Sequence, residues 1–302
     1  MLGEGRESVS ARHPRFRPER GGGSRSAMLL AVDVGNTNIV VGAYPHDRLV
    51  ARGDGRGKPY HGPLASGRMS TASPRTVDEY AMTLGSLLDR LQVPPASIRG
   101  IVIVSVVPKA TSGVKAALRG MCRPKPIVVG DDCPIPIRNQ YRDPRQVGKD
   151  RLVNAVAARH RYGAPVVIVD FGTAITVDAV SARGSYVGGV IAPGLEISLE
   201  ALITRAALLP RIELERPKAV LGRDTITSMQ SGIAHGYGAL CDGLVTKLKA
   251  AAMVRRAPVV ATGGHAPFIR PYCRTVTHVD PALTLDGLAL IYRWLRLRSS
   301  TN

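Results

Sequence analysis

The sequence predicts an α/β fold with two similar halves, and two observations carry this prediction. An apolar run that ends in Asp-x-Gly and turns directly into a second apolar run occurs at residues 29–44 and again at residues 165–180. Each hairpin is followed by a third strand-like segment and a helical pattern, so each half begins in the order β-β-β-α. The 302 residues, 44% of them hydrophobic, are enough for two domains with cores of their own.

Composition narrows the class of protein further. Aromatic residues make up only 4% of the chain, so the cores must consist mainly of Val, Ile, Leu and Ala. The four cysteines, at positions 122, 133, 241 and 273, show no Cys-x-x-Cys spacing, and reduced thiols are typical of a cytosolic protein. No apolar run is long enough to cross a membrane, and no signal peptide is visible, so a cytoplasmic location is predicted.

The net charge of +18 raises the question of nucleic-acid binding. The basic residues are spread along the chain, and few aromatic residues lie among them to stack on bases. Anionic small molecules account for the charge equally well. Nucleic-acid binding is therefore the minority interpretation.

The chain begins with a predicted tail and a predicted hairpin. Residues 1–27 are rich in Arg, Gly and Ser and lack apolar periodicity, so this tail is expected to be disordered. The first domain is predicted at residues 28–164. It opens with two antiparallel strands at residues 29–34 and 39–44.

The turn of this hairpin suits a phosphate group. Gly35 lets backbone N–H groups approach an anion closely, and Asn36, Thr37 and Asn38 add side-chain donors. Asp33 cannot bind phosphate and is expected to face a cation, most simply Mg²⁺ carried by a nucleotide. An ordinary Asn-rich hairpin turn explains this stretch, taken alone, equally well.

The first domain continues with a loop, a strand and a helix. Residues 52–66 are rich in Gly, Arg and Pro and predict a loop, and a short third strand is expected at residues 68–71. A helix is predicted from Thr76 to Leu91. Thr76 is a good N-cap, Glu79 follows three residues later, and apolar residues then recur at helical spacing.

Two buried strands complete the first domain's sheet and give the order β-β-β-α-β-α-β. The β-branched run at residues 101–107 predicts a strand buried on both faces. Pro108 ends it and opens the next helix. A further strand is predicted at residues 127–130, followed by an extended linker at 134–144 and a helix from Gly148 to Arg159. The Ala-rich part of this helix, residues 153–158, is expected to serve packing alone.

The second domain is predicted at residues 165–302. Its hairpin ends the first strand in Asp170-Phe171-Gly172-Thr173, and Asp178 on the returning strand is expected to face the cleft. Further strands are predicted at 186–191 and 258–261, helices at 195–207 and 227–249, and a Gly-rich turn at 262–265. The closing helix, residues 283–297, is expected to pack back on the first domain.

A series of motifs in order resembles the type III pantothenate kinases, within the actin-like ATPase and sugar kinase superfamily. The resemblance extends from Met28 to the last helix and implies two actin-like (ribonuclease H-like) domains with a nucleotide cleft between them. The motifs are Asp33-Val34-Gly35-Asn36-Thr37-Asn38, Ser105-Val106-Val107-Pro108, Asn139-Gln140-Tyr141, Gly148-Lys149-Asp150-Arg151, Asp170-Phe171-Gly172-Thr173-Ala174, Gly188-Gly189-x-Ile191-x-Pro193-Gly194, Gly222-Arg223-Asp224-Thr225 and Thr262-Gly263-Gly264.

The resemblance implies ATP-dependent phosphorylation of pantothenate, the first step of coenzyme A biosynthesis. Phosphoryl transfer depends mostly on positioning and on neutralising charge. Asp170 resembles the ligand of a monovalent cation, K⁺ or NH₄⁺, and Mg²⁺ is expected with the nucleotide. Gly263 and Gly264 are expected to let adenosine lie against the backbone. Thr173 of the second turn resembles an ATP contact of the family. The family's phosphate-binding loop corresponds to the first turn, which consists of Asp33, Val34, Gly35, Asn36, Thr37, Asn38, Ile39 and Val40.

Asp150 is the candidate general base, because a kinase needs a carboxylate that accepts the proton of the attacking hydroxyl. Arg151 is expected to hold the substrate carboxylate bidentately. Taken alone, this pair is more typical of an acidic residue at a helix start followed by a surface arginine. Gly148, Lys149, Tyr141 and Thr225 resemble further pantothenate contacts. An alternative interpretation remains for two of these residues. Tyr141 could instead be a loop aromatic packed on the core, and Thr225 could be the N-cap of the helix that follows.

Other activities stay open beside the kinase hypothesis. The family is dimeric, so a homodimer is expected, with apolar helix faces such as residues 195–209 as its interface. One alternative is a regulatory homologue that binds nucleic acid, motivated by the charge. The other is a kinase of the same superfamily that acts on another small hydroxyl compound.

Overall fold

The structure, a computed structural model, describes residues 27–50, 62–71 and 75–299, except for the side chains of residues 48, 50 and 299. The predicted tail lies almost entirely outside the described residues, and so does most of the predicted loop at residues 52–66. Of the predicted loop, the structure describes residues 62–66.

The first half of the chain forms a five-stranded mixed sheet. Its elements are β1 (Met28–Val34), β2 (Asn38–Pro45), α1 (His46–Val50), β3 (Ala65–Ser70), α2 (Val77–Arg90), β4 (Ile98–Ser105), α3 (Pro108–Met121), β5 (Pro126–Val128) and α4 (Lys149–Tyr162). The strand order is β3-β2-β1-β4-β5. β1 and β2 are antiparallel, as are β2 and β3, whereas β1 runs parallel to β4 and β4 to β5.

The second half repeats this arrangement. Its elements are β6 (Val166–Phe171), β7 (Ala174–Val180), β8 (Tyr186–Pro193), α5 (Leu195–Arg205), α6 (Thr225–Ala251), β9 (Val259–Thr262), α7 (Ala266–Ile269), β10 (His278–Val279) and α8 (Leu283–Ser299). Its strand order is β10-β9-β6-β7-β8, with the same pattern of parallel and antiparallel neighbours. The predicted duplication is therefore confirmed at the level of sheet topology.

Most predicted elements form where the sequence indicates. Thr76 caps α2. Its hydroxyl accepts the backbone N–H of Glu79, and its own backbone N–H donates to the Glu79 carboxylate, so the two form the predicted capping box. Pro108 is the first residue of α3, as expected. The predicted strand at 101–107 is β4, whose residues Ile101 to Val104 are fully buried.

Several boundaries differ from the prediction. β3 begins at Ala65, so the strand takes the last residues that were assigned to the loop. α4 continues three residues beyond Arg159 and ends where Gly163 adopts φ +80. α6 begins at Thr225, because Asp224 is its N-cap. The short elements α1, α7 and β10 were not predicted, since two to five residues carry too little periodicity.

The last helix, α8, packs on the sheet of the first half. Leu285, Leu288 and Tyr292 are buried in a cluster that also contains Leu29 and Tyr44 of β1 and β2. The assignment of residues 28–164 and 165–302 to two domains stays a prediction. Among the described residues, the structure has no helix with the length and apolarity that a membrane crossing requires.

A buried ionic cluster joins α4, α8 and β2. Arg161 of α4 is paired with both Asp280 and Asp286, and all three side chains are almost fully buried. Tyr44 of β2 donates its hydroxyl to Asp286 Oδ1 at 2.6 Å, and Tyr162 donates to Asp280 Oδ2 at 3.0 Å. Because each carboxylate has hydrogen-bond partners as well as the arginine, burial of these charges is compensated.

Candidate active site

The two predicted turns lie against each other. The hydroxyl oxygens of Thr37 in the first turn and Thr173 in the second are 2.7 Å apart and form a hydrogen bond. Both threonines are exposed, as is Asn36. The turns therefore meet at the surface of the molecule and present their polar groups on the same side.

Local hydrogen bonds shape the first turn. The N–H of Gly35 donates to the carbonyl of Asn38 at 3.0 Å, and the Thr71 hydroxyl donates to the carbonyl of Gly35 at 2.7 Å. A Cβ at Gly35 would lie 3.1 Å from the Asn38 oxygen, which is closer than ordinary contact. Val34 and Ile39 have fully buried side chains, so only their backbone is available to a ligand.

Asp33 and Asp170 occupy equivalent positions in the two halves. Asp33 precedes the last residue of β1, and Asp170 precedes the last residue of β6. Burial and, to a smaller extent, the charges of Asp150 and Asp170 together raise the pKa of Asp33 to about 8. Burial also raises the pKa of Asp170 to about 7, with contributions from Asp150 and Asp178. The three carboxylates of Asp33, Asp150 and Asp170 thus lie close enough to repel one another.

The start of α4 positions Asp150. Its Oδ1 accepts the N–H of Arg151 at 2.8 Å. A Cβ on Gly148, the N-cap of the helix, would collide with that same carboxylate oxygen, so a larger residue there would displace the Asp150 carboxylate. Burial raises the pKa of Asp150, and the charge of Asp178 adds to this. A partly buried carboxylate with a raised pKa suits a general base.

Arg151 and Asp178 form a buried ion pair. The Arg151 Nη2 donates to Asp178 Oδ1 at 2.6 Å and its Nε donates to the same oxygen at 3.0 Å. Tyr186 and Thr176 donate their hydroxyls to Asp178 at 2.7 Å and 3.1 Å. The expectation that Asp178 faces the cleft is wrong, because its side chain is 1% exposed and completes this network. Among the described residues the Nη1 of Arg151 makes no hydrogen bond, so it remains for a substrate carboxylate.

Asn154 and Thr284 support Asp170. Asn154 Nδ2 donates to Asp170 Oδ2 at 3.1 Å, and the Thr284 hydroxyl of α8 donates to Asn154 Oδ1 at 2.7 Å. The expectation that residues 153–158 serve packing alone is therefore wrong for Asn154. A polar residue in an Ala-rich buried stretch, four positions after Asp150, was the signal in the sequence.

The remaining predicted pantothenate contacts lie in different surroundings. Lys149 Nζ pairs with Asp131 Oδ1 at 2.5 Å, at the partly exposed edge of the site. Tyr141 is half-buried, with its ring 6.4 Å from that of Tyr186 and 3.7 Å from where a Cβ on Gly188 would lie. Thr225 is the exposed first residue of α6. The helix is capped by Asp224, so the N-cap alternative for Thr225 is wrong.

The Gly263-Gly264 turn follows β9 and lies beside Asp170. Gly263 has φ +89, and a Cβ there would collide with Asp170 Oδ1 and the backbone of Phe171. Gly264 has no such restriction. A Cβ at Gly264 would meet only Arg68 Nη1, at 3.9 Å, among the described atoms that do not neighbour it in the chain. Gly264 therefore borders open space, so a ligand could lie against its backbone.

The carboxylates fit hard cations, because oxygen ligands suit Mg²⁺ and K⁺ and a cation relieves the mutual repulsion of Asp33, Asp150 and Asp170. They do not form a preassembled metal cage. Among the described residues, the one group of three potential ligand atoms within 4.8 Å of one another is Cys241, Asp242 and Cys273, away from this site. A divalent ion is thus expected to complete its coordination with nucleotide phosphates.

Comparisons of the sequence with known proteins identify a family. A sequence model described as type III pantothenate kinase matches residues 29–247. The chain is 44% identical over 266 residues to the type III pantothenate kinase of Geobacter sulfurreducens, a match that covers 88% of this chain and 98% of the relative. It is also 44% identical over 269 residues to that of Geobacillus thermodenitrificans, which covers 88% and 97%.

A solved structure supports the fold. Component A of the (R)-2-hydroxyglutaryl-CoA dehydratase of Acidaminococcus fermentans superimposes with a TM-score of 0.51, covering 91% of this chain and 100% of that one. The identity is only 13%, so this likeness bears on the fold alone. Together with the repeated sheet topology, it identifies the fold as two duplicated actin-like halves.

Proposed function

This chain belongs to the type III pantothenate kinase family, and we propose that it transfers the γ-phosphoryl group of ATP to the primary hydroxyl of pantothenate. The product, 4′-phosphopantothenate, enters coenzyme A biosynthesis. The observation that carries the proposal is the convergence of Asp33, Asp150 and Asp170 beside the two facing turns. The cytoplasm, where ATP is available, is the proposed location.

Asp150 is the proposed general base. Its carboxylate takes the proton of the pantothenate hydroxyl as the hydroxyl oxygen attacks the γ-phosphorus. The bond from the γ-phosphorus to the bridging oxygen breaks, and ADP leaves with that oxygen. The raised pKa of Asp150 supports this role, because it makes the carboxylate a stronger proton acceptor near neutral pH.

The two turns are the proposed phosphate site. Backbone N–H groups around Gly35 and the side chains of Asn36, Thr37 and Asn38 bind phosphate oxygens from the first half, and Thr173 binds them from the second. Thr37 and Thr173 already share a hydrogen bond, so a phosphate between the turns exchanges one hydroxyl partner for another. Such contacts position the γ-phosphoryl group without covalent chemistry.

Two cations accompany the nucleotide in this proposal. Asp170 holds a monovalent cation, K⁺ or NH₄⁺, and Asp33 faces the divalent ion that arrives with ATP. Bound cations supply charge neutralisation for the transferred phosphoryl group. Asn154 keeps the Asp170 carboxylate oriented while it does so.

The pantothenate carboxylate is proposed to bind Arg151 through Nη1, which its pairing with Asp178 leaves available. Gly148 and Lys149 lie at the start of α4. The ring of Tyr141 lies 6.4 Å from that of Tyr186, which donates its hydroxyl to the Asp178 that pairs with Arg151. Thr225 is the first residue of a different helix, α6, and is flanked in the chain by exposed apolar side chains at Leu221 and Ile226. We propose that these side chains belong to a homodimer interface, at which Thr225 completes a site shared between two copies.

A coupled kinase assay tests the proposed function. The purified protein with ATP, Mg²⁺ and K⁺ is expected to phosphorylate pantothenate. The Asp150→Asn variant is expected to lose roughly 10²- to 10⁴-fold in kcat because it lacks a base. ATP affinity, measured by calorimetry, is expected to stay close to that of the wild type.

The matched control is Asp78→Asn, since Asp78 occupies the first turn of α2 as Asp150 does that of α4. Full activity of Asp150→Asn would contradict the assigned base. Wild-type protein that leaves pantothenate untouched would contradict the substrate. Turnover of another small hydroxyl compound in a substrate panel, or DNA binding that survives physiological salt, would then favour one of the alternatives.

A further inference from the structure

Arg68 lies on the edge strand of the first sheet, in line with Asp33. Asp33 of β1 pairs with Val40 of β2, and Val40 pairs with Arg68 of β3. Directly paired residues in neighbouring strands place their side chains on the same face of a sheet. Arg68 therefore extends from the face that carries Asp33.

The Arg68 side chain reaches the second half of the molecule. Its Nη1 lies 3.9 Å from the position that a Cβ on Gly264 would occupy. Apart from Gly264 and the residues next to it in the chain, no other described atom lies within 4 Å of that position. Gly264 does not need to be glycine for its own backbone, because positive φ occurs at Gly263 and not at Gly264. A ligand that lies against Gly264 would thus touch the guanidinium of Arg68.

The ion pairs around the turns leave the guanidinium of Arg68 available to bind an anion. Lys149 is paired with Asp131 and Arg151 with Asp178, so both cations near Asp150 have carboxylate partners. Arg68 is exposed, and its side chain makes no hydrogen bond or ion pair within the described part of the chain. A guanidinium of this kind binds phosphate oxygens through two parallel N–H groups.

We propose that Arg68 binds the phosphates of the nucleotide that lies between the Asp33 turn and Gly264. Arg68 then joins the two halves of the molecule through the ligand, because its strand belongs to the first sheet and Gly264 to the second. It also supplies positive charge opposite Asp33, Asp150 and Asp170. The inference rests on the proposed function in one respect, which is that ATP is the ligand.

Calorimetric binding of Mg·ATP to full-length variants tests the proposal. Arg68→Ala and Arg68→Gln are each expected to weaken ATP binding by roughly tenfold to a hundredfold, the range for a charge-assisted hydrogen bond. Arg68→Lys keeps the charge but not the fork of donors, so it is expected to fall between them and the wild type. The binding of ATP to Arg68→Ala is also expected to depend less steeply on salt.

The matched control is Arg99→Ala. Arg99 is an exposed arginine of β4 in the same sheet, and its guanidinium donates hydrogen bonds to the local carbonyls of Ala96 and Ile98. This variant is expected to bind ATP as the wild type does. Thermal melting of both alanine variants checks that the edge strand remains folded.

Two results would overturn the role of Arg68. One is Arg68→Ala that binds ATP as tightly as the wild type. The other is wild-type ATP affinity in Arg68→Gln, which would show that the positive charge of Arg68 is not needed for ATP binding. A parallel kinase assay separates this inference from the proposed function. Arg68-dependent ATP binding without pantothenate turnover would contradict the function alone, whereas turnover with unaltered binding in Arg68→Ala would contradict the role of Arg68 alone.

Discussion

Asp33 is a buried carboxylate beside other carboxylates. Its neighbours Asp150 and Asp170 are also acidic, and burial together with their charges raises its pKa from 3.8 to about 8. In the folded protein Asp33 keeps its proton up to that pH, whereas in the unfolded chain it releases the proton near its ordinary pKa. This carboxylate therefore stabilises the folded state less and less as the pH rises from about 4 to about 8.

Asp33→Asn is expected to raise the melting temperature of the ligand-free protein, because asparagine avoids the cost of ionising this site. The gain is expected to be largest at pH 8 and smallest near pH 4, where the aspartate is protonated in both states. Melting curves across this pH range measure it. Asp89→Asn, at an exposed aspartate of α2, serves as the control. A gain that is independent of pH would contradict the assigned cause.

Residue roles were predictable where a motif carries the chemistry. Asp33, Asp150 and Asp170 were each identified from the sequence, and the structure brings their charges together. Their roles in binding and catalysis stay predictions. The partner of Arg151 was not predictable. Asp178 lies 27 positions away, and no spacing rule relates a helix start to the fifth residue of a strand in the other half.

At the scale of elements, α4 carries the greatest share of the site. Gly148 caps it, Asp150 and Arg151 form its first turn, and Asn154 lies one turn further on the same face as Asp150. Nearly every residue from 151 to 158 is buried, so the helix cannot rotate without disrupting the core around it. The rigid helix therefore fixes the positions of Asp150, the candidate base, and of Asn154, which orients Asp170, relative to each other.

Thr284→Val is expected to weaken binding of a monovalent cation at the site proposed for Asp170. Valine keeps the shape of threonine but removes the hydroxyl that orients Asn154, so Asn154 no longer fixes the Asp170 carboxylate. The half-saturating K⁺ concentration is expected to rise several-fold, in line with about 1 kcal/mol for one hydrogen bond. The KM for pantothenate is expected to change less.

Thr284→Ser retains the hydroxyl and is expected to restore the K⁺ response. Thermal melting separates a positioning role from a structural one. A lower melting temperature with an unchanged K⁺ response in Thr284→Val would mean that the hydrogen bond to Asn154 serves stability alone.

At the scale of the whole molecule, exposed apolar side chains are frequent near the start of α6. Leu208 is 94% exposed, Leu221 75% and Val220 69%, and Ile226 follows on the helix. Single exposed apolar residues are common, but several in one stretch indicate an interaction surface. This supports the proposed homodimer and the place of Thr225 beside its interface.

The wild-type protein is expected to elute with twice its chain mass of 32.1 kDa when size-exclusion chromatography is combined with light scattering. Leu221→Glu is expected to shift it towards the monomer, because a charge in an apolar interface is desolvated without a partner. Met82→Glu, at a methionine of α2 that is 74% exposed, is the control. A monomeric wild type would contradict both the interface and the shared site.

The order of the longer elements and the positions of the two Asp-x-Gly turns followed from local sequence alone. Strand periodicity, helix caps and tight turns depend on residues that are close together in the chain. The pairing of the halves depended on contacts between distant residues. Thr37 meets Thr173 across 136 positions, Thr284 reaches Asn154 from the last helix, and Arg68 extends from an edge strand to Gly264. Such contacts arise from how the sheets and helices pack, and the local pattern of no single segment encodes them.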